Sequence, residues 1–394
     1  MYNIMKNYDY AYPKIRLGLC CGNITLKYKN DVYSSRKKTL GLILKNGLED
    51  SKKLAKTNVI DLVKMLLWAK HHGISVMRIS SDLVPHGSNN KLVESFGKRS
   101  SLLGKEAEDY ISLKFIEPYL QIVGQVAKLE NMRLTFHPGQ FVQLASPSSS
   151  AFDNSIRELL MHATFLDMMG LNKDAVIVIH IGGTYNDKEE TIKRFIKNFG
   201  KLDNKIKNRL VLENDEKCYN ADDVLSICQK VGRPMVFDYH HYVCYELYHP
   251  ENKQSPIDKI MPKILETWQT LGIRPKFHLS EQAPGKPIGS HSLFIDRIPD
   301  EFLSIPDKYN VDIDIMIEAK GKEIAISKLY QKYPDLRPKC SEDLPKGLPK
   351  DALKDLDIPE EIKESVSCSC DESACYIDEY HKYKSKYLEL KYPE

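Results

Sequence analysis

Short apolar runs rich in β-branched residues recur along the chain, each closed by polar, glycine or proline residues. They fall at residues 15–20, 75–80, 133–137, 175–181, 209–213, 234–239, 276–279 and 312–319. Several are apolar almost throughout, as in Val176-Ile177-Val178-Ile179. Strands covered on both faces read this way, which points to a parallel sheet. The stretches between them show helical spacing. Val59, Leu62, Val63, Leu66 and Leu67 share one face of residues 58–71, and Gly73 follows as a stop. Residues 155–169 and 188–199 repeat the pattern, and Pro118 kinks or divides the helical region 105–129. Eight strands alternating with helices predict an α/β fold, a single eight-stranded (β/α)8 TIM-type barrel. An open doubly wound sheet is the alternative, but no glycine-rich dinucleotide or phosphate loop supports it.

The barrel is expected over residues 1–333, with a long basic insertion at 25–56 read as a loop. Residues 334–394 are dominated by Lys, Glu, Asp and Pro, and read as a charged C-terminal extension, helical or partly disordered. The chain has 394 residues, of which 42% are hydrophobic and 28% charged, an ordinary globular balance that excludes wholesale disorder. No run of eighteen apolar residues occurs, so no membrane span is expected, and residues 1–12 lack the apolar core of a secretory signal. Nine cysteines, an odd number, fit reduced thiols in a soluble intracellular protein. Cys368, Cys370 and Cys375 lie close enough in sequence to form a small metal clip with Cys340, although the spacing is not a standard zinc pattern.

Net charge is +3, which taken alone argues against a nucleic-acid partner. The average conceals an asymmetry. Residues 1–105 carry 19 Lys+Arg against 7 Asp+Glu, and the remainder carries 38 against 47. The basic surplus centres on Arg36, Lys37, Lys38, Lys45, Lys52, Lys53 and Lys56, a segment expected to border the barrel mouth and grip DNA phosphates.

The chemistry lies at the strand ends. Six successive predicted strands finish on ionisable residues: His137, His180, Glu213 with Asp215, Asp238 with His240 and His241, His278, and Glu318. His291 follows thirteen residues after His278. A single histidine at a strand end is more often structural than a ligand. Repetition at the same end of six strands changes that, because in a closed barrel those ends form one ring around one mouth. Mixed imidazole and carboxylate donors favour Mn²⁺, Zn²⁺ or Fe²⁺ over Ca²⁺. His137, His180, Glu213, Asp238, His241, His278, His291 and Glu318 are enough for two or three ions, with Glu213 able to bridge a pair.

With these residues in view, the chain closely resembles the ultraviolet damage endonuclease family of DNA repair enzymes. The matching segments are Arg16-Leu17-Gly18, Arg78-Ile79-Ser80-Ser81-Asp82-Leu83-Val84-Pro85 and Phe136-His137-Pro138-Gly139-Gln140-Phe141. Ile179-His180-Ile181-Gly182-Gly183, Leu212-Glu213-Asn214-Asp215, Phe237-Asp238-Tyr239-His240-His241 and Pro275-Lys276-Phe277-His278-Leu279-Ser280 also match. Ser290-His291 and Met316-Ile317-Glu318-Ala319-Lys320 complete the series. The match runs from about residue 15 to 330 and leaves the C-terminal extension uncovered.

The resemblance implies an ATP-independent endonuclease that nicks directly 5′ to cyclobutane pyrimidine dimers and 6-4 photoproducts. It implies a divalent metal cluster, Mn²⁺ first with Mg²⁺, Zn²⁺ or Fe²⁺ open, held by the eight residues above. Glu213, Lys276 and Glu318 are the expected catalytic groups. Lys276 beside cations is expected to be deprotonated or carboxylated. Asn23, Arg78, Gln140 and Phe141, with Lys37 and Lys38, are the expected contacts to DNA and lesion. The implied partner is UV-damaged double-stranded DNA, with no nucleotide cofactor and the protein a monomer. Two departures stand out. Leu19 occupies a place where relatives usually carry an aromatic, and Asn89 one where they tend to carry histidine, while His86 directly follows Pro85. An apurinic-site endonuclease and a xylose-isomerase-like sugar isomerase are the rival readings, since both would share such a metal mouth.

Overall fold

The computed structural model describes residues 13–339. Eight strands appear where the apolar runs predict them: β1 Ile15–Cys20, β2 Val76–Ile79, β3 Arg133–Phe136, β4 Ile177–His180, β5 Leu210–Glu213, β6 Met235–Asp238, β7 Lys276–Leu279 and β8 Ile313–Ile317. All are parallel and pair in chain order, and β8 pairs back onto β1 to close the barrel. The described residues up to Pro338 form one compact unit. The C-terminal cysteines Cys340, Cys368, Cys370 and Cys375 lie outside the described residues. Among the described residues, no helix is long and apolar enough to cross a membrane.

Alternation along each strand sorts the side chains. One set turns outward to the helices and is apolar: Leu17 and Leu19, Met77, Leu134 and Phe136, Ile177 and Ile179, Leu212, Phe237, Phe277, Ile315 and Ile317, all essentially buried. The other set turns inward and is largely polar. Toward the amino-terminal end, buried Asp314 binds Arg16 at 2.7 and 2.9 Å and Arg133 at 2.7 Å, with Arg274 at 3.0 Å. This network forms the barrel floor. Above it, Gly18 makes room for Met316 and Val76; a Cβ there would lie 3.0 Å from the methionine methyl. The carboxyl-terminal ends of the strands carry the inward residues described below.

The helices pack as the periodicity requires. Glu49–His71 buries Val59, Leu62, Val63 and Leu66. The helical region around Pro118 divides into Ser101–Ile111 and Glu117–Leu129, with the proline in the first turn of the second helix, where its missing N–H costs nothing. Trp268 in helix Ile257–Gln269 is fully buried, and its indole N–H donates to the Met235 carbonyl at 2.6 Å.

The basic insertion is not a loop throughout. It forms helices Ile24–Asn30 and Leu40–Asn46 and the start of Glu49–His71. Local capping explains the difference: the side chains of Asn23 and Thr39 accept from Leu26 and Leu42 N–H groups, and Ile43 and Ala55 bury inward-facing positions. Lysine is itself a good helix former, so a basic run need not be irregular. The intervening residues are tied to the helix behind them. Asp61 accepts from Tyr33 N–H at 2.9 Å and pairs with the Arg36 guanidinium, and Asn58 accepts from Arg36 N–H at 2.7 Å.

Candidate metal centre

The mouth gathers the strand-end residues around Glu213. This glutamate ends β5, is fully buried and faces inward. His137 Nε2 lies 2.8 Å from Glu213 Oε2, and His180 Nε2 lies 3.5 Å from the same oxygen. His278 Nδ1 lies 2.6 Å from Glu213 Oε1 and 3.2 Å from Glu318 Oε1. His241 Nδ1 is 3.8 Å from Glu213 and 3.9 Å from Asp238 Oδ2. His291 Nδ1 is 3.9 Å from Glu318 Oε2. All eight sequence-predicted ligands therefore converge.

Local structure aims these groups. Asp238 caps the helix Tyr239–Tyr248: its Oδ1 accepts the His241 N–H at 2.8 Å, which leaves Oδ2 for another purpose. Buried Asn214 exchanges two hydrogen bonds with the Asp238 backbone at 2.9 and 3.0 Å, and its carbonyl lies 2.9 Å from His241 Nδ1. The ends of β5 and β6 are thereby locked together.

Three subsets bring their ligand atoms within 4.8 Å of one another: His137, His180 and Glu213; Glu213, Asp238 and His241; Asp238, His278 and Glu318. Asp238 Oδ2 and His180 Nδ1 are buried without a hydrogen-bond partner. Orphaned lone pairs at such positions are costly unless a cation uses them. The donor set, its density and these orphans fit divalent cations.

The electrostatics are those of a crowded site. Burial pushes His137 down to about 4. Burial opposes ionisation of Glu213, but His278, His180 and His137 outweigh it and hold the carboxyl well below its ordinary value. For His241 burial also opposes charge, yet Asp238, Glu213 and Glu216 carry it up to about 9. Lys276 is fully buried, its Nζ against His278 Nε2. Burial, followed by the Arg78 charge, brings it down to about 7.

Comparison with known proteins decides the family. The family model described as UV-endonuclease UvdE matches residues 15–345. The chain belongs to this family. A putative UV-damage endonuclease of Acanthamoeba polyphaga mimivirus is 36% identical over 325 residues, covering 82% of this chain and 92% of that protein. The UV-damage endonuclease of Schizosaccharomyces pombe is 38% identical over 337 residues, which is 82% of this chain but 52% of the longer yeast protein. The crystal structure of SacUVDE superposes with a TM-score of 0.66 at 29% identity, covering 82% of this chain and all of that one.

In this UvdE-family barrel, the residues expected at DNA divide into two groups. Gln140 and Phe141 stand exposed on the loop after β3, Phe141 at 60%. An aromatic ring this exposed is not part of the core. Gln143 braces their loop: its Nε2 donates to the Gln140 carbonyl at 2.6 Å, while its Oε1 accepts from Gly183 N–H at 3.3 Å and the Tyr185 hydroxyl at 3.0 Å. Gly182 has φ +108°, and a Cβ there would meet that oxygen at 2.3 Å, so the position requires glycine. Lys37 is 74% exposed and pairs with Asp82 at 2.7 Å, next to the end of β2.

The other group is buried or engaged. Asn23 is a buried helix cap, with its Nδ2 unpartnered. Lys38 is 14% exposed and pairs with Asp50 at 3.2 Å. Arg78 turns inward and binds Glu318 and Cys20. Leu19 is fully buried on the helix-facing side of β1, and Asn89 Nδ2 lies 3.2 Å from His86 Nδ1. Sequence reasoning missed Glu216, whose Oε2 lies 3.9 Å from His241 Nε2, and the Cys20–Arg78–Glu318 connection. Glu216 carried a faint signal, three residues beyond Glu213. The connection is visible only when β1, β2 and β8 are read with the same inward alternation.

Proposed function

We propose that this protein nicks UV-damaged duplex DNA directly 5′ to cyclobutane pyrimidine dimers and 6-4 photoproducts, without ATP, leaving a 3′-hydroxyl and a 5′-phosphate. The observation that carries this reading is the ring of imidazoles and carboxylates around Glu213, beside an exposed aromatic, in a UvdE-family barrel. His137, His180, Glu213, Asp238, His241, His278, His291 and Glu318 are the residues that would hold divalent ions, with Mn²⁺ the first expectation. Such ions supply a Lewis acid and acidify bound water.

The chain's own groups do the rest. Glu213, Asp238 and Glu318 concentrate negative charge where cations are needed, and their burial excludes competing bulk water. Lys276, fully buried behind His278, is held uncharged or carboxylated, which spares the centre an additional ammonium. Intact-mass analysis of the native protein checks the carboxylated form. Phe141 stacks on bases left behind when a weakly paired lesion leaves the helix, with Gln140 beside it. Lys37 and the exposed lysines of the insertion hold the backbone.

The test is incision of an end-labelled duplex carrying one dimer, one 6-4 photoproduct or one abasic site, with Mn²⁺. A single nick 5′ to each photoproduct, abolished by a chelator, is expected. Preferred cutting of the abasic duplex would install the apurinic-site reading instead, and full nicking after metal removal would overturn the hydrolytic scheme.

A further inference from the structure

Cys20 and Cys21 close β1 at the mouth, and the proposed chemistry uses neither. Neighbouring side chains in a strand ordinarily point to opposite faces. This pair departs from the rule. Cys21 has φ +63°, an uncommon value for a residue with a side chain. The Gly22 N–H closes a tight turn onto the Cys20 carbonyl at 2.8 Å. The turn sets the two sulfurs 3.9 Å apart, with the Cys20 thiol donating to the Cys21 sulfur. A tetrahedral ion with thiolate bonds of about 2.3 Å spans sulfurs about 3.8 Å apart. The pair thus has the bite of a chelate before a ligand arrives. A disulfide fits less well: consecutive Cα atoms are held about 3.8 Å apart, inside the spacing of about 4.4 Å at which disulfides begin.

Charge favours the same occupant. The Cys20 hydrogen bond, with Arg78 beside it, holds Cys21 at about 5, while the same contact and burial push Cys20 well above its ordinary value. Cys21 is half-buried and Cys20 buried, so the more acidic thiol belongs to the less buried residue of the pair. The Arg78 guanidinium holds Cys20 Sγ with one terminal nitrogen and Glu318 with the other. An event at the sulfurs is therefore one residue away from the candidate centre.

We propose that Cys20 and Cys21 form a dithiol site for a single thiophilic centre, trivalent arsenic or a soft divalent cation, whose occupation disturbs Glu318 through Arg78. With a monosubstituted arsenoxide, two As–S bonds form and the As–O bond breaks. The oxygen leaves as water carrying two protons, one from Cys20 and one from solvent for the Cys21 thiolate, and arsenic stays trivalent. No oxidant is required.

The experiment uses the full chain with Cys340, Cys368, Cys370 and Cys375 replaced by serine, so that other closely spaced thiols do not compete. Phenylarsine oxide is titrated and the product read by intact mass and loss of free thiols. One arsenical per chain is expected, removed by an excess of a small dithiol. Cys20→Ser and Cys21→Ser each weaken binding by about a hundredfold or more, because only one arm of the chelate remains. Cys21→Ser, at the less buried position, serves should Cys20→Ser fold poorly, as judged by circular dichroism. Absence of an adduct, or binding unchanged in Cys21→Ser, overturns the site. The second arm rests on the proposed endonuclease activity: occupation should cut nicking of irradiated duplex at least about tenfold, reversibly. Unchanged nicking by the occupied protein overturns the coupling through Arg78. A parent protein inactive on irradiated DNA sinks the functional reading instead, and the adduct measurement still decides the site.

Discussion

Glu318 meets Arg78 and His278 through one carboxylate oxygen and faces His291 with the other. Glu318→Gln keeps an acceptor for these neighbours but removes the charge. We expect nicking to fall by about 10²-fold or more with lesion affinity largely retained, measured by single-turnover incision beside gel-shift binding. Equal loss of both would argue against a catalytic place. Phe141 gives the opposite split. At 60% exposure it contributes little to the core, so Phe141→Ala should leave thermal stability within about 0.5 kcal/mol of the parent. It should weaken binding to a dimer-containing duplex by about 1–3 kcal/mol, the worth of a stacked base. At this scale the convergence of the eight candidate ligands was legible, because all but His291 lie at or just after the end of an apolar run that marks the mouth. The contacts of Cys20 and Arg78 were not legible. Their surroundings are set by partners far away in sequence, and nothing local announces that an arginine in a strand turns toward a glutamate 240 residues later.

Strands were easier to read than the segment between β1 and the helix Glu49–His71. A run such as Val176-Ile177-Val178-Ile179 has a single economical conformation once both faces are covered. A lysine-rich stretch is compatible with helix or loop, and only its caps and its contacts with Asn58 and Asp61 choose. Its packing also sorts the charges. Arg36 and Lys38 are engaged by Asp61 and Asp50, whereas Lys37 is 74% exposed and Lys45 and Lys53 stand on the surface. Ser35 Oγ lies 3.1 Å from Ser80 Oγ just past β2, which keeps the segment at the mouth. Replacing Lys37, Lys45 and Lys53 by Gln should flatten the salt dependence of DNA binding, the slope falling by about 0.9 for each phosphate no longer neutralised. Replacing Arg36 and Lys38 should instead cost stability. An unchanged slope in titrations across a range of salt concentrations would remove the segment from the DNA interface.

For the whole molecule, the closed order of eight parallel strands followed from their number and alternation with helices, but the polar floor did not. Arg16, Arg133, Arg274 and Asp314 lie near four separate strand starts, and only closure brings them together. Burial would raise the Asp314 carboxyl, but Arg16 and Arg133 outweigh it and hold it well below the ordinary range. A value depressed by folding contributes stability in full above the unfolded carboxylate pKa of about 4, and loses it as pH falls further. Urea midpoints should therefore drop between pH 5 and pH 3 in the parent. Asp314→Asn, which strands buried guanidinium groups, should be destabilised by about 3–5 kcal/mol at pH 7 and show a shallower acid loss. A parallel acid profile in both proteins would refute the assignment.

That plugged floor also dictates traffic. Asp314 and Arg133 are buried and ion-paired across the amino-terminal end of the barrel, so the natural way to Glu213 is the carboxyl-terminal mouth. A duplex lying across that opening becomes a stopper. Ions exchanged freely by the empty protein would be trapped beneath bound DNA, and a chelator should strip the preformed complex more slowly than the free enzyme. Order of addition then becomes a property of the architecture.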